Sequence, residues 1–407
     1  MIYFTAPIFL LLLSFTQRLK LLREYLAVFL CFFIFGGKYY NGADFINYLA
    51  VFNDVQYSLS ELPYHLLDVF EPGFLLLQAL SKSVINHVQF FYIVIAILNL
   101  SLLLSFLKKT SVNIPFTLFL FYCNFGWLLW LELTRQGIAV SITITALPYL
   151  VQRKIIPFFI IVATFHYSAL IFLPLYWVLQ IDFSSNRKIL LSLLIAFSLF
   201  LLLNLFRTDV YKFILFALPD NIIFLKKLRA YFMENASIQS APFSVFMKYL
   251  AYTPILYFLK KFPIAQITPA KEQAKFYIRK NMLFLYLLSY PILAQIAILT
   301  RFLPYLGVAL PIIGGYVFQA GWREHKVFLV YLIGVSLMLL VALPLLNHAV
   351  RPLYIPFNNF FISLLSDEVP LQKKQMQVSL APPSTLEKLL FVSPTIKTAC
   401  TTTKPTS

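Results

Sequence analysis

The sequence predicts an all-α polytopic membrane protein of about 12 transmembrane helices, with roughly 10 to 13 as the bounds. Three observations predict it. Hydrophobic residues make up 60% of the 407 positions and charged residues only 12%, with a mean hydropathy of +0.80. The apolar residues fall into successive runs near membrane-spanning length, and the basic residues sit in short clusters between those runs. A soluble domain of this length needs far more polar surface, so a bilayer must solvate most of the chain. The 43 Phe and 24 Tyr fit that reading, since aromatic rings favour the water interface of a membrane.

The net charge of +17 does not imply nucleic acid. The cations come as Arg18, Lys20 and Arg23; Lys108 and Lys109; Arg153 and Lys154; a set from Lys260 to Lys280; and Arg323 with Lys326. That is the positive-inside pattern, in which Lys and Arg resist translocation and mark cytoplasmic loops. Cys31, Cys123 and Cys400 form no disulfide framework, CxxC pair or zinc signature.

In chain order, Ile2 to Phe15 is apolar, with no basic stretch before it and no small-residue cleavage site after it. The charges that follow it predict a retained span with an outside N-terminus, and Tyr25 to Gly37 returns outward. Residues 38–88 carry Asp44, Asp54, Glu61, Asp68 and Glu71, five of the 16 acidic residues, against Lys38 and Lys82. This composition predicts an outer-face loop. Within it, Phe74 to Ile85 is too short and polar to span and reads as an interfacial helix. Further spans are predicted at 89–107, 114–131, 136–151, 155–179, 189–206, 243–259, 281–299, 302–320 and 327–346. Residues 209–225 count as a span because only then do the basic clusters share one face. The 260–280 loop, with six cations against Glu272, is the strongest cytoplasmic marker. Residues 1–365 thus form the membrane domain, and 366–407 is a polar tail with the composition of disorder.

Charged side chains at the edges of spans cost roughly 2.5–3.5 kcal/mol on insertion scales, so each asks for a reason. Near the outer face the predicted topology collects Asp44, Glu71, Glu132, Arg135, Gln136, His166, Arg301, His348 and Arg351. Asp44 follows an outward span, where a carboxylate serves either as general base for a sugar hydroxyl or as the cap of the next helix. Arg135 defies the positive-inside tendency, and its planar fork suits phosphate oxygens better than simple snorkelling or an ion pair with Glu132. His166 interrupts a long apolar run, either to serve a phosphate or proton or to bond a neighbouring carbonyl. Arg301 is a second arm of a phosphate clamp or an orienting partner for a carboxylate. Arg351 and Tyr354 read as interface anchors.

These motifs together resemble the EpsG-like family of exopolysaccharide polymerases, functional relatives of Wzy-type polymerases. The matching residues are Gly42-x-Asp44-x-x-x-Tyr48, Glu71-Pro72-Gly73-Phe74, Arg135-Gln136-Gly137-Ile138-Ala139, Phe165-His166-Tyr167-Ser168-Ala169-Leu170 and Leu173-Pro174-Leu175. The resemblance covers roughly residues 30 to 350 and implies a GT-C-like membrane glycosyltransferase with interfacial helices in the first outer loop. It implies catalytic roles for Asp44, as general base, and His166, as its assistant. Arg135 and Arg301 then bind a diphosphate, and Glu71, Gln136 and Tyr48 complete the substrate site. Asp44 has no acidic neighbour, so the paired acids of many GT-C transferases are missing here.

The function implied is polymerisation of undecaprenyl-diphosphate-linked repeats into an exopolysaccharide, capsule or O-antigen chain at the outer face of a bacterial inner membrane. No cofactor is implied, and a divalent metal stays open. The partners implied are the lipid-linked donor and acceptor, membrane lipids, a chain-length regulator and export proteins, with no nucleic acid. The competing readings are a transporter or flippase of lipid-linked sugar and a non-catalytic export scaffold. A transporter would place its charges near the bilayer midplane, whereas most of these gather at one end.

Overall fold

The computed structural model describes residues 2–16, 19–39, 41–42, 44–55, 70–110, 112–150, 162–171, 178–179, 186–205, 251–259, 270–293, 300–346 and 359–364. Their regular structure is helical, apart from one bridge between Lys38 and Asn359. In order come α1 (Ile2–Phe15), α2 (Lys20–Phe35), α3 (Asp44–Asp54), α4 (Pro72–Val84), α5 (Val88–Lys109) and α6 (Ile114–Phe121). A π-helical segment, π1 (Tyr122–Glu132), leads to α7 (Thr134–Leu150), a 3₁₀ turn (Tyr167–Ile171) and α8 (Asn186–Leu205). Then follow α9 (Ala270–Leu293), α10 (Leu303–Gly307), α11 (Ala309–Ala320), α12 (Lys326–Leu346) and α13 (Phe360–Ser363). The predicted span at 209–225, the basic residues 260–269, His348, Arg351, Tyr354 and the 366–407 tail lie outside the described residues.

Among the described residues, two stretches are long and apolar enough to cross a bilayer, Val88–Lys109 and Leu303–Ala320. α5 fixes the scale. At 1.5 Å per residue its 22 residues reach about 33 Å, close to the ~30 Å hydrocarbon core. His87 caps its start by accepting from the Gln89 N–H, and Lys108 and Lys109 complement the dipole at its end.

The helix ends sort into two groups. At one end meet the last turn of α1, the start of α2 and the loop after α11. Phe15 packs edge-on against Trp322 with centroids 4.6 Å apart, and Asn113 donates to the Ser14 carbonyl at 3.2 Å. Lys108 lies over Tyr25, so the Lys20, Lys108 and Arg323 clusters share this end. At the other end, Gln89 donates to the Gly36 carbonyl at 2.6 Å, and the Phe360 N–H donates to Gly37 at 2.8 Å.

α3 and α4 form a small aromatic unit on the start of α5, through buried Phe45, Tyr48, Phe52, Phe74, Phe91 and Tyr92. Lys82 locks it by donating to the carbonyls of Phe52, Asn53 and Val55, the otherwise open end of α3. Among its described residues the acidic loop thus holds two helices, and the one expected at Phe74 to Ile85 runs Pro72–Val84.

Two expectations are corrected. The 155–179 span is not one continuous helix, because the chain turns at Thr164 and Phe165 before the 3₁₀ turn. There the Thr164 carbonyl is given to the Gly73 N–H at 2.8 Å instead of to its own helix. The 260–280 loop is helical from Ala270, and Arg279 is buried between the Phe106 and Tyr316 rings. The predicted 114–131 span is helical throughout, with π geometry from Tyr122. The predicted 302–320 span corresponds to the membrane-length stretch Leu303–Ala320, with Val308 as a turn residue between α10 and α11.

Candidate functional site

The site is built where α4, α7 and the 162–171 segment converge. Glu71 stands in extended conformation just before α4, and Pro72 starts the helix with the fixed φ its first position favours. Arg135 lies in the first turn of α7, and His166 lies between the turn at Thr164–Phe165 and the 3₁₀ turn. The Glu71 carboxylate takes both side chains. Oε2 accepts from Arg135 Nη1 at 2.6 Å, and Oε1 lies 2.8 Å from His166 Nδ1 and accepts from the Tyr167 N–H at 3.4 Å.

Two glycines permit this approach. A Cβ on Gly73 would meet Thr164 Oγ1 at 2.7 Å and its carbonyl oxygen at 2.9 Å. A Cβ on Gly137 would overlap the Leu129 carbonyl, so α7 could not start so close to π1. Each motif glycine therefore serves the charged residue two positions before it.

Burial alone would push the Glu71 carboxyl up. The Arg135 charge and the hydrogen bond from His166 outweigh burial and hold it at about 2. Rings surround the Arg135 guanidinium, with the centroids of Phe70, Phe74 and Tyr48 at 4.6, 5.8 and 5.9 Å. The Tyr48 hydroxyl donates to Asp44 Oδ2 at 3.1 Å, one helical turn away. Burial and the Asp44 charge push that hydroxyl up, against Arg135 and Arg301, so it remains a neutral donor.

Arg301 joins through its backbone, since Gln136 Nε2 donates to its carbonyl. Ser168 and Tyr305, 3.1 Å apart, tie the 3₁₀ turn to α10 nearby. Asp44, Tyr48, Glu71, Arg135, Gln136, His166 and Arg301 thus belong to one connected region. Its members are not alike in access. Tyr48, Glu71 and Gln136 are only 2%, 3% and 1% exposed. Tyr48 and Glu71 spend their polar groups on protein partners, and Gln136 donates to the Arg301 carbonyl while its Oε1 is buried without a hydrogen-bond partner. Asp44, Arg135 and Arg301 are half-buried, with surface left for a ligand.

Glu71, and not the alternative partner Glu132, takes the Arg135 guanidinium. Glu132 instead acts on Lys38, which sequence reasoning missed. Lys38 donates to the Leu131 carbonyl and to Thr134 Oγ1, and lies 4.7 Å from the Tyr92 ring centroid. Burial pushes its ammonium down to about 8, against the pull of Glu132 and Asp44. A cation at the edge of an otherwise acidic loop was the available signal. Among the described residues no three His, Cys, Asp or Glu side chains gather as a metal site.

A family model spans residues 24–359 and takes in every member of the region. The chain belongs to the EpsG family. EpsG proteins are membrane proteins linked to exopolysaccharide biosynthesis. No curated protein and no solved structure matches the chain significantly. Within this EpsG chain, the Glu71-Pro72-Gly73 and Arg135-Gln136-Gly137 motifs are one device. Gly73 lets the Glu71 segment lie against Thr164 beside His166, and Gly137 lets α7 start close to π1 with Arg135 in its first turn.

Proposed function

We propose that this EpsG protein polymerises undecaprenyl-diphosphate-linked oligosaccharide repeats at the outer face of a bacterial inner membrane. It does so as a GT-C-like glycosyltransferase of about 12 spans, working with a chain-length regulator and export proteins. The observation that carries the reading is the buried Glu71 carboxylate, which holds Arg135 and His166 on two other segments beside half-buried Asp44 and Arg301. These groups gather at the end opposite the basic clusters, as chemistry outside the cell requires.

In the reaction, a hydroxyl oxygen of the acceptor repeat attacks the anomeric carbon of the donor chain. The bond from that carbon to the diphosphate oxygen breaks, and the lipid diphosphate leaves with the electron pair. Asp44 takes the hydroxyl proton, with Tyr48 fixing its carboxylate. Arg301 has no ion pair among the described residues, so its guanidinium receives the departing diphosphate with the open edge of Arg135. His166 is anchored at Nδ1 by Glu71, which leaves Nε2 for a substrate oxygen. Holding two lipid-bound substrates in register supplies much of the rate.

The test is a product ladder from purified protein and lipid-linked repeats. Asp44→Asn keeps volume and capping ability but removes the base, so polymer should vanish at normal protein levels. Arg301→Gln should also lose polymer while leaving thermal stability unchanged. Wild-type chain lengths from both variants would reject the polymerase site as assigned.

A further inference from the structure

The opposite end of the molecule carries a cavity that the proposed reaction does not use. It has a volume of about 540 Å³, within the ~300–1,000 Å³ of small-molecule sites. Lys20, Arg23 and Arg323 line it against a lone Glu324, with Phe15 and Trp322 as an aromatic wall. Arg23 Nη1 donates to the Thr16 carbonyl, while its Nε is buried without a hydrogen-bond partner. α2 begins beside the cavity with no side-chain cap, after Leu19 at φ 55°. That is the only non-glycine left-handed residue among the described ones. Its first N–H groups therefore add the positive end of a helix dipole to three cations.

The surroundings of the cavity are apolar and exposed. Leu19, Leu21 and Leu22 are 72%, 65% and 51% exposed beside Lys20 and Arg23, and Leu12 and Phe9 continue this surface along α1. In a bilayer these faces meet acyl chains. A ligand that satisfies both features has an anionic head and an apolar tail.

We propose that this cavity binds the phosphate headgroup of an anionic phospholipid, with its chains lying along the exposed faces of α1 and α2. Arg23 and Arg323 supply guanidinium donors for phosphate oxygens, and Lys20 supplies a point charge. The aromatic wall positions the glycerol at interface depth. The site depends on charge at the basic end and not on the polymerase chemistry at the other.

The experiment uses the full-length protein in mild detergent, given phosphatidylglycerol, phosphatidylcholine or inorganic phosphate. Native mass spectrometry reads bound lipid, and thermal unfolding reads stabilisation. Phosphatidylglycerol should be retained in clear preference to phosphatidylcholine. The Lys20→Gln/Arg323→Gln variant should lose about tenfold or more of that affinity, as expected for one or two charge-assisted contacts. Arg323 is exposed, so Arg323→Glu offers a second variant that leaves the fold alone, and it should bind less phosphatidylglycerol still. Stabilisation by inorganic phosphate without retention of phosphatidylglycerol rejects the lipid as occupant and overturns the proposal. Equal retention of both lipids, or retention indifferent to both variants, overturns the proposal.

Discussion

Glu71 shows how one buried carboxylate organises a site from residues far apart in the chain. Removing its charge strands the Arg135 guanidinium among three rings, and breaking a buried pair costs about 3–5 kcal/mol. Glu71→Gln should therefore lower thermal stability and polymerisation together, whereas Arg301→Gln lowers activity alone. Arg135→Lys retains the charge for Glu71 but loses the fork and the stacking, so it should keep folding and show a roughly ten- to hundredfold loss in rate at low substrate. The pH dependence has a definite sign. Glu71 is held at about 2 against an ordinary 4.5, so its contribution is complete above pH 4.5 and is lost as pH falls towards 2. The stability gap between wild type and Glu71→Gln should stay level from pH 5 to 7, as far as this group is concerned. It should narrow only below about 4.5, which unfolding curves across that range will show. Asp44, Arg135 and His166 stood out in the sequence because charge near a span needs a reason. Their pairing did not, since Glu71 and Arg135 are 64 positions apart and Glu71 and His166 are 95.

At the scale of elements, short contacts decide how the segments meet. Gly73 lets α4 touch the 162–166 segment, and its N–H is the donor for Thr164. Gly73→Ala should push that segment outward and separate His166 from Glu71. Displacing a catalytic arrangement by about 1 Å can cost on the order of a hundredfold, so polymer yield should fall while helix content by circular dichroism holds. The π1 segment is fixed by Asn124, which donates to Ser336 on α12 at 2.9 Å and accepts from the Tyr252 hydroxyl at 2.7 Å. Asn124→Ala strands both partners inside the bundle, at about 0.6–2 kcal/mol by measured interhelical bonds. A lowered unfolding temperature with normal substrate affinity is the expected result. Hydropathy located α5, α8 and α12 closely, because each is an unbroken apolar run with polar ends. It read straight through the turn at Thr164, where no charged residue between Lys154 and His166 marks the break. It also missed the start of α9, whose cations look like loop composition until Arg279 and Lys280 are seen to be buried.

Taken whole, the molecule separates a basic cluster from a mixed group of acids and arginines along one helix length. Lys20, Lys108, Arg323 and Lys326 gather at one end, and Asp44, Glu71, Arg135 and Arg301 at the other. On the positive-inside rule we propose that the basic end faces the cytoplasm. Single cysteines on a Cys400→Ser background test this, since Cys31 and Cys123 are buried. Asn53→Cys and Lys326→Cys, both exposed positions, should label from the outside and from the cytoplasm respectively. The reverse pattern would move the candidate site to the cytoplasmic face and end the polymerase reading. The membrane class, the acidic loop and the residues with unusual charge were determined by the sequence alone, because transfer free energy is a property of local composition. Which carboxylate holds which cation was decided only by the tertiary structure. Hydropathy carries no information about partners dozens of positions apart, and buried pairs form where packed helices and two close glycine contacts bring them within hydrogen-bond reach.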